Sequence, residues 1–288
     1  MTDYRNPTIV ALVSIVLVLI SLTLLAKQPK LPTTMLATNL SKAESKTQPI
    51  TQPITQPKTL SLEFTVAQTP SDQGFKALLE SSDEIQSVVN LVNDEFQLLN
   101  NITLVFGEDE GPLFDSELNK IIIPYAFLDE IQERFTLAKY EKTSGLKLDE
   151  IVIDAVMHTL FHELAHAFIA QYDLPVLGRE EDAADGLASI FLIEYFEQGQ
   201  EIVLTAADLF DLESQDIETL EKQDYWGEHS LDIQRYYSSM CNVYGSAPKA
   251  YAHIKKEQGF SAEKAENCIT DYDILLHSWL TLLKPYRK

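Results

Sequence analysis

The chain has 288 residues, of which 45% are hydrophobic, so it is long enough to bury one sizeable core. Basic and acidic residues are unevenly distributed: residues 1–60 carry a net charge of +4, and the remainder carries −26. A domain with this charge repels phosphate, which excludes nucleic acid as an expected partner.

Two segments precede the acidic domain. After a short tail at residues 1–7, residues 8–26 are uncharged and rich in Val, Ile and Leu. As a helix they would be about 28 Å long, close to the thickness of a bilayer core, so we expect a transmembrane signal anchor, with a long signal peptide as the alternative. Residues 27–59 include the repeat TQPI-TQPI-TQPK and predict a disordered linker, because proline at every fourth position excludes a helix interior. The domain is then expected at residues 60–288.

The first part of the domain predicts a small sheet. Leu60–Val66 alternates between apolar and polar residues, and Ile102–Phe106 and Asn119–Pro124 are rich in β-branched residues, which favours three strands. Asp83–Leu99 has an apolar stripe with helical spacing. The expected order is therefore strand, helix, strand, strand.

The next predicted helix, Asp149–Ala170, contains the motif His-Glu-x-x-His. His162 and His166 are four residues apart, so on a helix they lie on one face and can bind one zinc ion. Glu163 is adjacent and is the expected general base for hydrolysis. His158 invites a three-histidine alternative, but it would lie about 12 Å from His166 along the axis, so we interpret it as structural.

A second acidic helix is predicted to begin within Gly178–Asp185. Glu181 and Asp185 share a helix face, and two His with one Glu form a common ligand set of catalytic zinc, so Glu181 is the expected third ligand. Asp185 is the expected hydrogen-bond partner of His162, because metal-bound histidines usually pair with a carboxylate through the other ring nitrogen. Glu180 is the rival ligand, and an ordinary acidic helix start is the alternative to a site.

Beyond residue 200 the chain is expected to be mostly helical, with an amphipathic stretch over residues 230–244. His229 precedes this stretch and is the candidate donor to the oxyanion of a hydrolytic transition state, with a capping or buried histidine as the alternative. Asp232 is a candidate for orienting His229. Arg235 is expected to bind a structural carboxylate rather than one of a substrate.

Cys241 and Cys268 are the only cysteines, and behind an export segment they predict one disulfide; reduced core cysteines are the alternative for a cytoplasmic domain. Lys27 and Lys30 after the predicted span, against Arg5 before it, weakly favour the cytoplasm. The cysteine pair and the long polar linker favour export. We expect a membrane-anchored chain with a periplasmic or extracellular domain.

Three stretches carry a resemblance to known proteins: Phe161–His166, Leu174–Asp185 and His229–Arg235. They are similar to the gluzincin group of zinc metallopeptidases and, more closely, to a bacterial family of uncharacterised metallopeptidases, over roughly residues 60–285. This resemblance implies an α+β, zincin-like fold with a small N-terminal sheet, a central zinc helix and a mostly helical C-terminal lobe. In such a fold a sheet edge beside the metal pairs with an extended peptide, and we assign that edge to Ile121–Pro124.

We therefore predict a zinc-dependent metallopeptidase that hydrolyses peptide bonds with a metal-activated water. The alternatives are a zinc-stabilised, non-catalytic domain that binds an envelope partner, and a zinc amidase that acts on another bond. Glu163 argues against the non-catalytic alternative, because a purely structural zinc site has no need of a base.

Overall fold

The computed structural model of the protein describes residues 56–288. The predicted membrane span at residues 8–26 and most of the predicted linker lie outside the described residues. Within residues 56–288, no helix has the length and apolar character required to cross a membrane.

The sheet of the domain has four strands in the order β1-β2-β4-β3. The strands are β1 (Leu60–Phe64), β2 (Ile102–Phe106), β3 (Leu113–Asp115) and β4 (Lys120–Ile123). β1, β2 and β4 run parallel, and β3 pairs with β4 in the antiparallel direction. The three predicted strands are present, whereas β3 was not predicted, because three half-buried residues carry no detectable alternation.

The prediction that Ile121–Pro124 forms the sheet edge is wrong. β4 pairs with β2 on one side and with β3 on the other, so it is an inner strand, and β3 is the edge. The three consecutive isoleucines of β4 are all buried, as is typical of a strand covered on both faces.

The remaining regular structure consists of helices, and it dominates the second half of the domain. The α-helices are α1 (Pro70–Glu80), α2 (Asp83–Glu95), α3 (Tyr125–Leu137), α4 (Tyr140–Ser144), α5 (Leu148–Tyr172), α6 (Glu180–Tyr195), α7 (Gly199–Ser214), α8 (Asp232–Ser246), α9 (Ala252–Glu257) and α10 (Ala262–Leu283). Short 3-10 turns occupy Lys222–Tyr225 and Lys284–Tyr286. The predicted α+β class, with a small sheet and a mostly helical C-terminal part, is confirmed.

Helix α5 lies at the centre of the core. It is apolar on all faces, and nearly every residue from Ile151 to Ile169 is buried, which is typical of a helix surrounded by other elements. The sheet, α3, α6 and α7 all pack against it. Its N-cap is Lys147, so the helix begins one residue before the predicted start at Asp149. Asp149 lies in the first turn, where its charge favours the helix N-terminus.

Helices α8 and α10 are joined by the predicted disulfide, which is confirmed. Cys241 and Cys268 are bonded, with their Cα atoms 5.0 Å apart. Gly245 lies one turn after Cys241 and permits this close approach, because a Cβ atom there would lie 2.2 Å from the carbonyl oxygen of Cys268. The pair ties α10 to α8, the helix that follows His229.

Candidate metal centre

Helices α5 and α6 bring together three donor atoms, that is, atoms with a lone pair that can bind a metal ion. His162 Nε2 lies 3.2 Å from His166 Nε2 and 3.0 Å from Glu181 Oε2, and His166 Nε2 lies 3.3 Å from the same oxygen. In a tetrahedral zinc site with bonds of about 2.0–2.1 Å, ligand atoms are separated by roughly 3.3 Å. The three donor atoms therefore have the chemistry and spacing that fit one zinc-sized ion.

Each histidine is held from behind by a carboxylate. His162 donates from Nδ1 to Asp185 Oδ1 at 2.8 Å, and His166 donates from Nδ1 to Glu180 Oε1 at 2.9 Å. A proton on Nδ1 leaves the lone pair of Nε2 free to bind a metal. The structure brings Asp185 to the histidine that the sequence indicated. Glu180, considered as a rival ligand, lies behind His166 instead.

The ligand atoms at the centre of the site are close enough together to need protons or a cation between them. Burial lowers the pKa of His162, but hydrogen bonds to Asp185 and Glu181 outweigh it and raise the pKa to about 9. Contacts with His162, His166 and His229 hold the pKa of Glu181 far below its usual value. A neutral His162 has no second proton for the contact between Nε2 and Glu181. Extra protons or a bound metal ion satisfy these acceptors.

Helix α8 supports the site through Arg235. Its guanidinium donates from Nε to Asp185 Oδ2 at 2.8 Å and from Nη2 to Asp185 Oδ1 at 2.9 Å, and its Cζ lies 3.9 Å from the ring centre of Phe210. Burial raises the pKa of Asp185, but the bonds from Arg235 and His162 outweigh it and leave the pKa below its usual value. Arg235 thus binds a structural carboxylate, as expected.

Glu163, the expected base, is buried with 6% of its surface exposed, and burial raises its pKa. It lines two adjoining cavities of about 200 Å³ and 480 Å³, and His162 lines both as well. The structure therefore brings Glu163 to the place where the open space meets the proposed metal ligands.

His229 approaches the centre from the segment before α8. Its Nε2 lies 2.9 Å from Glu181 Oε2, its ring stacks on that of His162 with centroids 5.8 Å apart, and its side chain is 49% exposed. The donor atoms of His162, Glu181 and His229 all lie within 4.8 Å of one another. Among the described residues, no hydrogen bond or ion pair joins His229 to Asp232, which instead lies 3.6 Å from Arg235.

Sequence reasoning missed Arg179, which holds this segment in place. The guanidinium of Arg179 donates to the backbone carbonyl oxygens of Gly227 at 2.9 Å, His229 at 2.8 Å and Tyr225 at 3.3 Å. Arg179 immediately precedes α6, so it connects the helix carrying Glu181 to the segment carrying His229. Its position beside the Glu-Glu-Asp run was visible in the sequence, but carbonyl groups some 50 residues away leave no sequence signal.

His158 lies apart from the three converging donors. It is buried, and its ring meets that of Phe210 edge-on with centroids 5.6 Å apart. Burial lowers its pKa to about 4, so the ring is neutral at pH 7. The three-histidine alternative therefore has no support in this arrangement.

An α+β domain with a buried helical His-Glu-x-x-His motif, converging donors and an adjacent acid belongs in the class of metal-dependent hydrolases. A sequence model of a protein family described as "Putative metallopeptidase" matches residues 64–283, about three quarters of the chain, and the chain belongs to this family. The family implies a metal ion and peptide substrates. No significant match is found among curated proteins or solved structures.

Proposed function

We propose that this protein is a zinc-dependent metallopeptidase of gluzincin type with a zincin-like fold. The observation that carries the proposal is the triangle of donor atoms from His162, His166 and Glu181, with a carboxylate behind each histidine. Glu163 next to this triangle supports hydrolysis over a purely structural metal site, which needs no base.

Each residue of the centre has a distinct task in this proposal. Zinc, when bound, supplies Lewis acidity that lowers the pKa of water and polarises a carbonyl group. Glu163 accepts a proton from the attacking water and delivers it to the leaving amine. Asp185 keeps the proton of His162 on Nδ1, so that Nε2 faces the ion. His229 donates a hydrogen bond to the oxygen that becomes negatively charged in the transition state.

The position of the edge strand β3 supports the proposal that the substrate is a peptide. The larger cavity, of about 480 Å³, is lined by Leu113, Phe114 and Ser116 on one side and by His166 and Glu181 on another. Among the strands of residues 56–288, β3 pairs with β4 alone, so its other side offers backbone groups to an extended chain. A peptide added to this edge would lie alongside the proposed metal ligands.

Metal removal and replacement tests the proposal. The full chain, loaded with zinc, is incubated with a mixed peptide library, and new termini are identified by mass spectrometry. We expect cleavage that stops after zinc is removed by a chelator and returns when zinc is added. A zinc-loaded protein that cleaves no peptide would contradict the proposal and favour the non-catalytic binding domain, whereas cleavage of other amides alone would favour the amidase.

We also propose that the chain is membrane-anchored through residues 8–26 and that its domain lies in the periplasm or outside the cell. The disulfide between Cys241 and Cys268 supports this location, because such bonds persist mainly in oxidising compartments. Free thiols at both positions in protein taken from its native compartment would contradict the proposal.

A further inference from the structure

The smaller of the two cavities beside Glu163 lies between α5, α7 and α8. It has a volume of about 200 Å³, which suits one long side chain. We call it the α7 pocket, because Leu209, Phe210 and Glu213 of α7 line it. Since Glu163 and His162 also line it, a substrate side chain that fills it belongs to a residue next to the scissile bond.

The walls of the α7 pocket combine apolar surface with two acids, Glu213 and the expected base Glu163. Phe127, Leu209 and Phe210 provide the apolar surface. Arg235 also lines the pocket, but its guanidinium is engaged by Asp185 and stacked on Phe210. Among residues 56–288, the carboxylate of Glu213 has neither a hydrogen bond nor an ion pair.

Glu213 is partly buried on α7. Burial raises its pKa to about 7, with a contribution from the nearby charge of Asp232, although the charges of Arg235 and Arg134 oppose the rise. A buried carboxylate is stabilised when a cation donates a hydrogen bond to it. A cationic group that enters the pocket can therefore gain binding energy by pairing with Glu213.

A second polar group in the same pocket also has no partner. The Nε2 atom of His158 is buried and makes no hydrogen bond in the described part of the chain. The ring is neutral, because burial lowers its pKa to about 4. In the tautomer with its proton on Nδ1, Nε2 can accept a hydrogen bond.

Given the proposed peptidase function, we propose that the α7 pocket binds a lysine or arginine side chain of the substrate, adjacent to the scissile bond, and that Glu213 pairs with its charge. The long apolar stem of such a side chain packs on Phe127, Leu209 and Phe210, and its charged end reaches Glu213. The net charge of −26 on residues 61–288 attracts cationic peptides over a longer range.

Binding without turnover tests the role of Glu213 directly. The full zinc-loaded chain with Glu163→Gln is titrated with matched peptides that carry lysine, or norleucine, which keeps the stem without the charge. We expect the lysine peptide to bind about 10- to 100-fold more tightly, as for a hydrogen bond to a charged group. Adding Glu213→Gln should remove the difference, and Glu213→Asp, which keeps the charge, should retain most of it.

Asp211→Asn is the matched control, because it removes the same charge from α7 two residues away from Glu213, at a residue that does not line the pocket. This variant should keep the preference for lysine. Equal affinity for the two peptides, or a preference that survives Glu213→Gln, would overturn the assignment. Thermal unfolding verifies that each variant is folded.

The cleavage sites produced by the unsubstituted protein distinguish the assignment of the α7 pocket from the proposed peptidase function. Cleavage sites enriched in lysine or arginine at one neighbouring position, with the enrichment lost in Glu213→Gln, would support both. Cleavage with no such enrichment would leave the peptidase standing and overturn the assignment of the pocket. Lysine binding that depends on Glu213, with no cleavage of any peptide, would support the pocket and overturn the peptidase.

Discussion

Two adjacent carboxylates, Glu180 and Glu181, face opposite sides of the same histidine. Glu181 Oε2 lies 3.3 Å from His166 Nε2, whereas Glu180 Oε1 accepts from His166 Nδ1 at 2.9 Å. In the proposed zinc site, the first position suits a metal ligand, and the second suits a group that orients a ligand. Glu180 and Glu181 are neighbours in one helix turn, but they contact different nitrogen atoms of the His166 ring, which extends between them.

Glu181→Gln and Glu180→Gln should therefore weaken zinc binding to different degrees. Loss of an orienting partner typically lowers metal affinity by about 10- to 100-fold, so Glu180→Gln should fall within this range. Glu181→Gln should exceed it, because a ligand is lost. The dissociation constants are measured by competition with a chromophoric chelator. A larger loss in Glu180→Gln than in Glu181→Gln would mean that the ligand has been assigned to the wrong residue.

The arrangements that could be predicted were those set within one helix or by the known chemistry of zinc sites. The four-residue spacing of His162 and His166, and of Glu181 and Asp185, determines a shared helix face from local geometry alone. Arg235 and Glu213 were different, because their surroundings are created when α7 packs against α5 and α8 packs against α6 and α7. The sequence indicated a structural role for Arg235 but not its partner, and it gave no indication of the pocket around Glu213.

At the scale of elements, the long strands could be predicted from the sequence, whereas two short elements could not. β1, β2 and β4 have clear apolar patterns, but β3, which lines the large cavity, has only three residues. Helix α1 was also missed, although Thr69 and Asp72 form a capping box at its start that a sequence reading can recognise. Short elements depend on pairing and caps, so periodicity detects them poorly.

The disulfide between α8 and α10 should stabilise the domain without taking part in the site. Its cysteines are 27 residues apart, so the chain-entropy account predicts that Cys241→Ser with Cys268→Ser lowers the free energy of unfolding by about 3–4 kcal/mol. Guanidinium denaturation measures this change, and zinc affinity provides the control. Unchanged unfolding together with lost zinc binding would contradict this division of roles.

At the scale of the whole molecule, one apolar helix positions the chemistry. Helix α5 is buried on all faces, so His162 and Glu163 have little freedom to move, and α6, α7 and α8 reach the site from around it. Predicting that α5 is central required only its composition, because a helix that is apolar all round must be covered. The contacts between helices far apart in sequence required the structure.

Glu163 is the base in the proposed mechanism, so its role is tested by comparing zinc-loaded protein with and without Glu163→Gln on one peptide substrate at equal zinc occupancy. The substitution keeps the size of the side chain and removes its capacity to accept a proton. We expect unchanged zinc content and thermal stability, with the hydrolysis rate lowered by about 10²- to 10⁴-fold. Hydrolysis by Glu163→Gln at the rate of the unsubstituted protein would contradict the account.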